Sequence, residues 1–173
     1  STRSNPPAPA SMFFTNRFDA GEKLALKLKN YKKAVIFAIP RGGVEVAHVV
    51  AKNLACPLHV IVARKIATPQ DPEVAVGAIT SDGTAILNSA YVEMLGLSEE
   101  EISIMKKEAR AEAVRRQHIY GLGKVETRNK TVIIVDDGLA TGYTMLAAIK
   151  YAFMLLVFYS SYYPFRISVP LVL

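Results

Sequence analysis

The chain has 173 residues, a net charge of +6 and 51% hydrophobic residues. That is long enough for one α/β domain with a buried core, too short for two domains of ordinary size, and too apolar for global disorder. Its basic residues are scattered or interleaved with acids, as in residues 106–112, which favours a solvated helix face over a nucleic-acid surface.

The single cysteine, Cys56, excludes an intrachain disulfide. A lone thiol fits a reducing cytoplasm, and we expect it to pack as a small hydrophobic residue rather than act as a nucleophile. No signal peptide is visible, and we expect a cytoplasmic protein. Residues 1–16 are rich in proline near their start, which predicts a flexible tail, and residues 17–173 are expected to form one domain.

Strands and helices are predicted to alternate in the first part of the chain. The apolar periodicity predicts a helix over 22–31, a buried strand over 34–39, a helix over 44–54 and a strand over 58–63. Such alternation implies right-handed crossovers and therefore a parallel sheet flanked by helices.

The pattern then breaks between Ile66 and Asn88. Residues 68–72 predict a loop, and residues 74–79 and 84–87 predict a hairpin that turns at 81–83. We expect this segment to lack an apolar face strong enough to dock it, and therefore to be mobile. Ser98 and Glu101 form a capping box that predicts a long helix to about Tyr120.

The most informative segment is 131–144. Its four β-branched apolar residues, 132–135, predict a strand buried on both faces, and this strand ends on Asp136 and Asp137. A loop of small and hydroxyl residues leads into a predicted helix over 145–150. Ligands bind beyond the carboxyl ends of strands in such sheets. The helix start and the hydroxyls of Thr141 and Thr144 suit a phosphate, and the two carboxylates suit sugar hydroxyls.

Competing motifs fit this segment poorly. A Walker A loop needs four residues between its glycines and a following lysine, and neither condition is met around Gly138 and Gly142. Gly121 and Gly123 do not follow a strand, so a dinucleotide fingerprint is weak. An ordinary turn between strand and helix stays open as the plain alternative.

Two other predicted strand ends carry cations. Pro40–Arg41–Gly42–Gly43 follows the first strand, and its glycines permit close approach of backbone amides to a diphosphate beside an arginine. Arg64 and Lys65 follow the second strand. Each of these residues could instead be a solvent-exposed turn or strand-end charge.

Together these residues resemble the phosphoribosyl pyrophosphate (PRPP) signature of type I phosphoribosyltransferases. The resemblance implies that Asp136 and Asp137 hold the ribose hydroxyls. It implies a PRPP-binding loop made of Gly138, Ala140, Thr141, Gly142, Tyr143 and Thr144. It also implies pyrophosphate contacts from Pro40, Arg41, Gly42, Gly43, Arg64 and Lys65. Among these, Arg41, Lys65, Asp136 and Asp137 are the candidate catalytic residues.

Further motifs narrow the resemblance to a little-characterised bacterial and archaeal branch of the family. They are Asp19–Ala20–Gly21, residues 62–65 and residues 72–79. From residue 151 the chain departs from the family pattern. A truncation or a reading-frame change would produce such a departure. Residues 151–173 carry one charge, Arg166, and seven aromatics. The apolar run is too short to span a membrane, and we expect a buried helix and then a core strand from Ile167 to Leu173.

The resemblance implies displacement of pyrophosphate from PRPP by a nitrogenous base or amine. Mg²⁺ is the implied cofactor, bound mainly by substrate oxygens with no direct protein ligand, and Asp136 or Asp137 would reach it through water. Glu73, on the closing segment, is the candidate on the acceptor side. Where the hypoxanthine and guanine enzymes have an acid, this chain has Ala140.

The alternatives are a PRPP-binding regulator and a catalytically impaired relative. No nucleic-acid or membrane partner is expected, and a homodimer is compatible with the resemblance. None of the three histidines lies in a motif, and we expect none to be catalytic.

Overall fold

The computed structural model describes residues 14–31, 33–121, 125–127, 129–159 and 167–168. These residues form five helices and seven strands. In chain order they are α1 (Arg17–Leu28), β1 (Ala34–Ala38), α2 (Gly42–Leu54), β2 (Leu58–Val60), β3 (Ala63–Ala67), β4 (Ala75–Thr80), β5 (Ala85–Leu87), α3 (Ser89–Met94), α4 (Glu99–Tyr120), β6 (Thr131–Val135), α5 (Tyr143–Tyr159) and β7 (Ile167–Ser168).

The predicted parallel sheet is present, with strand order β2-β1-β6-β7. β1 lies in register with β6 from Ala34 opposite Thr131 to Ala38 opposite Val135. All neighbouring strands of this sheet run parallel. The carboxyl ends of β1 and β6 therefore meet at one edge of the sheet.

Both faces of this sheet are buried, as the continuous apolar runs predict. Alternate residues such as Ile36 and Ile133 pack with α1 and α2 on one face. The intervening residues, including Phe37 and Ile134, pack with Met145 and other residues of α5 on the opposite face. α1 and α5 thus lie on opposite sides of the sheet whose edge carries the acidic pair.

A second sheet is antiparallel, with strand order β3-β4-β5. The prediction of a single strand over 58–63 is therefore wrong. β2 ends at Val60 in the parallel sheet, and β3 begins at Ala63 in the antiparallel sheet. Ile61 and Val62 between them are both buried, so the apolar run gives no sign of the break. Arg64 and Lys65 consequently lie inside β3, paired with Ile79 and Ala78, rather than beyond a strand end.

The β4–β5 hairpin is confirmed, but the expectation that 66–88 lacks a docking face is wrong. Ile66 and Val76 are fully buried. Ile66, Val76 and Ile79 form a cluster with Met105 of α4, and α5 also contacts this sheet. The longest exposed run of the segment is the β3–β4 loop over 69–73.

Helix boundaries differ from the predictions at the start of the chain. α1 begins at Arg17 rather than Glu22, because the Asn16 side chain accepts a hydrogen bond from the Asp19 N–H and caps it. Thr15 and Asn16, predicted as tail, belong to this helix start. The Ser98–Glu101 capping box of α4 is confirmed.

At the other end, α5 runs to Tyr159 and β7 pairs with β6. Residues 169–173 of the predicted last strand, and residues 1–13 of the predicted tail, lie outside the described residues.

Candidate functional site

The site lies where β1 and β6 end side by side. The Ile39 N–H donates to the Val135 carbonyl at 2.9 Å, so the two chains stay paired as they leave the sheet. Pro40–Arg41–Gly42–Gly43 follows β1, and Asp136 and Asp137 follow β6. Their junction is the place where open α/β sheets bind ligands.

A cavity of about 530 Å³ opens at this junction. Most of the residues selected from the sequence line it: Pro40, Arg64, Lys65, Glu73, Asp136, Gly138, Ala140, Thr141, Gly142 and Thr144. The remaining lining residues are Ile39, Ala63, Ala67, Pro72, Leu139 and Met145. Five of the sequence-selected residues do not line it: Arg41, Gly42, Gly43, Asp137 and Tyr143.

The loop over 138–144 runs along one wall of the cavity into α5. Gly142 has φ of 81°, a left-handed conformation that glycine adopts without strain. The first helical hydrogen bond joins the Leu146 N–H to the Gly142 carbonyl at 2.9 Å. The preceding N–H groups therefore have no partner within the helix and are available to an anion at the cavity wall.

Asp136 and Asp137 occupy different surroundings. Asp136 is half-buried on the cavity wall, and its Oδ1 accepts a hydrogen bond of 2.8 Å from the Asp137 N–H. Burial raises the pKa of Asp136 to about 6, with a further contribution from the neighbouring charge of Asp137. Of the acidic pair, Asp136 therefore lies on the cavity wall, and Asp137 follows it in the chain without lining the cavity.

The family model "Phosphoribosyl transferase domain" matches residues 14–153. The chain belongs to this family. It is 39% identical over 143 residues to two Mycobacterium tuberculosis proteins, "Putative phosphoribosyl transferase MT0597" (strain CDC 1551 / Oshkosh) and "Putative phosphoribosyl transferase Rv0571c" (strain ATCC 25618 / H37Rv). Each match covers 80% of this chain and 32% of the relative, so the chain spans about a third of their length.

The fold is also that of a solved structure. The crystal structure of TT1426 from Thermus thermophilus has a TM-score of 0.65 and 28% sequence identity, over 91% of this chain and 85% of that one. These comparisons confirm the α/β phosphoribosyl transferase fold that the resemblance implies.

In this phosphoribosyl transferase domain, the two glycines after β1 serve the packing of the acidic pair. A Cβ at Gly43 would lie 2.9 Å from the Asp136 Cα and 2.9 Å from the Val135 carbonyl oxygen. A Cβ at Gly42 would overlap the Asp137 carboxylate. The absence of side chains thus lets the start of α2 lie directly against Asp136 and Asp137.

Arg41 is exposed, and its side chain makes no hydrogen bond or ion pair with the described residues. The Pro40–Arg41 peptide bond is cis. Arg41 stands at the start of α2, beside the cavity but not on its wall.

Sequence reasoning missed Arg17. Its guanidinium donates to Asp137 Oδ2 from Nε at 2.8 Å and from Nη2 at 2.6 Å. The two residues are 120 positions apart, and nothing local in the sequence indicates the pairing. The available signal was position: Arg17 lies two residues before the Asp19–Ala20–Gly21 motif, and Asp137 belongs to the PRPP signature.

Arg64 and Lys65 both line the cavity, yet strand alternation points their side chains to opposite faces of β3. Arg64 shares its face with Ile66, which packs with Met105 of α4. Burial lowers the pKa of Arg64, and the charge of Arg116 on α4 lowers it further. Lys65 is exposed on the other face, so it is the more accessible of the two cations to a ligand.

Glu73 is an exposed residue of the β3–β4 loop at the cavity rim. Its N–H donates to Asp71 Oδ1 at 2.9 Å, and its carboxylate has no hydrogen-bond or ion-pair partner among the described residues. His48, His59 and His118 do not line the cavity.

Among the residues that the structure describes, no group of three or more His, Cys, Asp and Glu side chains could hold a metal ion. None of the described helices is long and apolar enough to cross a membrane.

Proposed function

We propose that this chain transfers the 5-phosphoribosyl group of PRPP to a nitrogenous base or amine and releases pyrophosphate. One observation carries the proposal: a single cavity joins the half-buried carboxylate of Asp136, the open start of α5 and the cation of Lys65. The carboxylate suits the ribose hydroxyls, the start of the helix suits the 5′-phosphate, and the lysine suits the pyrophosphate of the same substrate.

The 5′-phosphate is assigned to the loop over 140–144. Its free N–H groups, the positive end of the α5 dipole and the hydroxyls of Thr141 and Thr144 all favour a phosphate. The open space at Gly138, where an added Cβ would meet nothing within 4 Å, leaves room on this wall.

The ribose is assigned to Asp136, whose carboxylate accepts hydrogen bonds from its hydroxyls when ionised. Asp137 contributes from outside the cavity wall. Its Oδ2 is taken by Arg17, and its Oδ1 has no hydrogen-bond partner among the described residues.

The pyrophosphate is assigned to the side of the cavity formed by Pro40 and Lys65, with Arg41 next to Pro40 at the start of α2. Mg²⁺ bound to the pyrophosphate would neutralise charge that develops on the leaving group. Since this ion prefers substrate oxygens and water, Asp136 would contact it through a water molecule.

In the reaction, the bond from ribose C1′ to pyrophosphate breaks, and its electron pair leaves with the pyrophosphate. The acceptor nitrogen forms the new bond to C1′ and loses a proton. We assign the acceptor to the rim formed by Pro72, Glu73 and Leu139, where Glu73 is the available carboxylate. Closure of the β3–β4 loop would exclude water and so limit hydrolysis of PRPP.

The test is a screen of purines, pyrimidines and amines for acceptor-dependent pyrophosphate release from PRPP and Mg²⁺. At least one acceptor is expected to support release by the wild-type chain. Asp136→Asn should reduce that release by about 10²-fold or more, because one charged contact to the reacting sugar is lost. Glu108→Gln, which removes an exposed carboxylate on α4, should leave it unchanged.

Equal release by wild type and Asp136→Asn would contradict the assignment. Tight PRPP binding without release for any acceptor would favour the regulatory alternative instead.

A further inference from the structure

α1 begins at the same edge of the sheet as the candidate site, although none of its residues lines the cavity. Its first residue, Arg17, donates twice to the Asp137 carboxylate. The other terminal nitrogen, Nη1, lies 3.7 Å from Glu45 on α2. Arg17 therefore joins the start of α1, the start of α2 and the end of β6.

Both of its hydrogen bonds go to one oxygen of Asp137, Oδ2. The other oxygen, Oδ1, accepts no hydrogen bond from the described residues. A carboxylate held in this way has a fixed orientation and still offers one acceptor to a ligand. This arrangement differs from a closed ion pair, in which the arginine would take both oxygens.

The sequence around Arg17 is built to place it there. Asn16 caps α1 by accepting from the Asp19 N–H at 2.9 Å, and Asp19 accepts from the Thr15 N–H at 3.0 Å. These bonds fix where the helix starts. Arg17 is the first helical residue, and its side chain is directed by this turn.

Gly21 sets the distance between α1 and α2. A Cβ there would lie 2.6 Å from the Val49 Cβ and 2.9 Å from the Val46 carbonyl oxygen. The two helices can pack this closely only because the side chain is absent. Close packing brings the Arg17 guanidinium to Asp137 and Glu45.

The ion pair is a poor candidate for a stability device. The side chain of Arg17 is 50% exposed and that of Asp137 is 31% exposed. Pairs this exposed contribute little to folding, because solvent screens them and two long side chains lose freedom. We therefore expect the ion pair to orient the Asp137 side chain rather than to stabilise the fold.

We propose that Arg17 is a positioning residue that orients Asp137 so that Oδ1 faces the ribose of bound substrate. The inference rests on the proposed binding of PRPP. Arg17 acts through Asp137 and does not touch the pyrophosphate. The segment from Asn16 to Gly21 would then hold the Asp137 side chain in place through Arg17. This role gives the Asp19–Ala20–Gly21 motif a function, although none of its residues lines the cavity.

The test is a double-mutant cycle on PRPP affinity, measured by calorimetry with Mg²⁺. Arg17→Gln is expected to weaken PRPP binding by about tenfold, because a charged contact becomes misdirected. Asp137→Asn should weaken it at least as much. Since Arg17 acts through Asp137, the double variant should bind as Asp137→Asn alone does. Arg17→Lys, which keeps the charge and loses the fork, should recover part of the affinity.

Two controls separate positioning from other roles. Arg115→Gln removes an exposed ion pair on α4, to Glu112, and should leave PRPP affinity unchanged. Free pyrophosphate should bind Arg17→Gln as it binds wild type, since Arg17 is assigned no contact with it. Circular dichroism of each variant checks that α1 and the sheet are formed.

Three results would overturn the inference: wild-type PRPP affinity in Arg17→Gln, additive losses in the double variant, or an equal loss of pyrophosphate affinity. Failure of the wild-type chain to bind PRPP would overturn the proposed function and this inference together. The two failures are therefore distinguishable.

Discussion

Asp136 is the residue whose surroundings differ most from those of a surface carboxylate. Burial raises its pKa from 3.8 to about 6. Between these values the folded protein holds a proton that the unfolded chain has released. The contribution of Asp136 to the free energy of unfolding therefore falls as the pH rises through this window, and the loss is complete above about 6.

A first prediction follows for Asp136→Asn, which cannot ionise. Relative to wild type, its free energy of unfolding should increase by about 1–2 kcal/mol between pH 4 and pH 7. Urea denaturation at the two pH values measures this difference, with Glu108→Gln as the exposed control. A stability difference from wild type that is the same at both values would contradict the burial of this carboxyl.

Lys65 and Arg64 provide a second prediction because they are adjacent cations on opposite faces of β3. Lys65→Gln should weaken pyrophosphate binding by about tenfold, since a charged contact is lost. Arg64→Gln should have a smaller effect on binding, because its side chain faces α4. Calorimetric titration with pyrophosphate compares the two, and a larger loss in Arg64→Gln would reverse the assignment.

At the scale of elements, the β3–β4–β5 sheet is docked, and the exposed β3–β4 loop is the part that we expect to move. The Thr68 N–H donates to the Val74 carbonyl at 2.9 Å, which pins the two ends of the loop. The residues between them are exposed. Closure over a ligand is therefore expected from this short loop and not from the whole hairpin.

A third prediction concerns proteolysis of this loop. Glutamyl endopeptidase should cleave after Glu73 in the free protein, and saturating PRPP with Mg²⁺ should slow that cleavage. Mass spectrometry of the fragments follows the site. Cleavage after Glu73 at an unchanged rate under saturating ligand would show that the loop does not close and that Glu73 has no role at the acceptor.

The start of α2 gives a fourth prediction, from two glycines of the same site. Gly43→Ala places a Cβ 2.9 Å from backbone atoms of Val135 and Asp136, and should destabilise the fold by about 1–3 kcal/mol through overpacking. Gly138→Ala is the matched control, because its Cβ meets nothing within 4 Å. Equal midpoints of urea denaturation in the two variants would contradict the close packing of α2 on the acidic pair.

At the scale of the whole molecule, most of what the sequence predicted depends on local pattern, although the Asn16 cap of α1 is local and was missed. The apolar run over 132–135 specifies a strand buried on both faces, and Ser98 with Glu101 specifies the start of α4. Parallel pairing of β1 and β6 then follows from the alternation of helices and strands. The shared edge that holds Pro40 and Asp136 follows from that pairing.

The features that escaped prediction depend on contacts between distant parts of the chain. The switch between sheets occurs within an unbroken apolar run, at Ile61 and Val62, and only the partners of each strand reveal it. The ion pair of Arg17 with Asp137 joins residues that are 120 positions apart. The docking of the hairpin depends on α4 and α5, which follow it in the chain.

The central claim is that the cavity at the ends of β1 and β6 binds PRPP through Asp136. Calorimetric titration of PRPP with Mg²⁺ into wild type, Asp136→Asn and Glu108→Gln tests it most directly. We expect saturable one-site binding to wild type and Glu108→Gln, and an affinity at least about tenfold weaker in Asp136→Asn, as loss of a charged hydrogen bond requires. No binding to the wild-type chain, or equal affinity in all three proteins, would contradict the account.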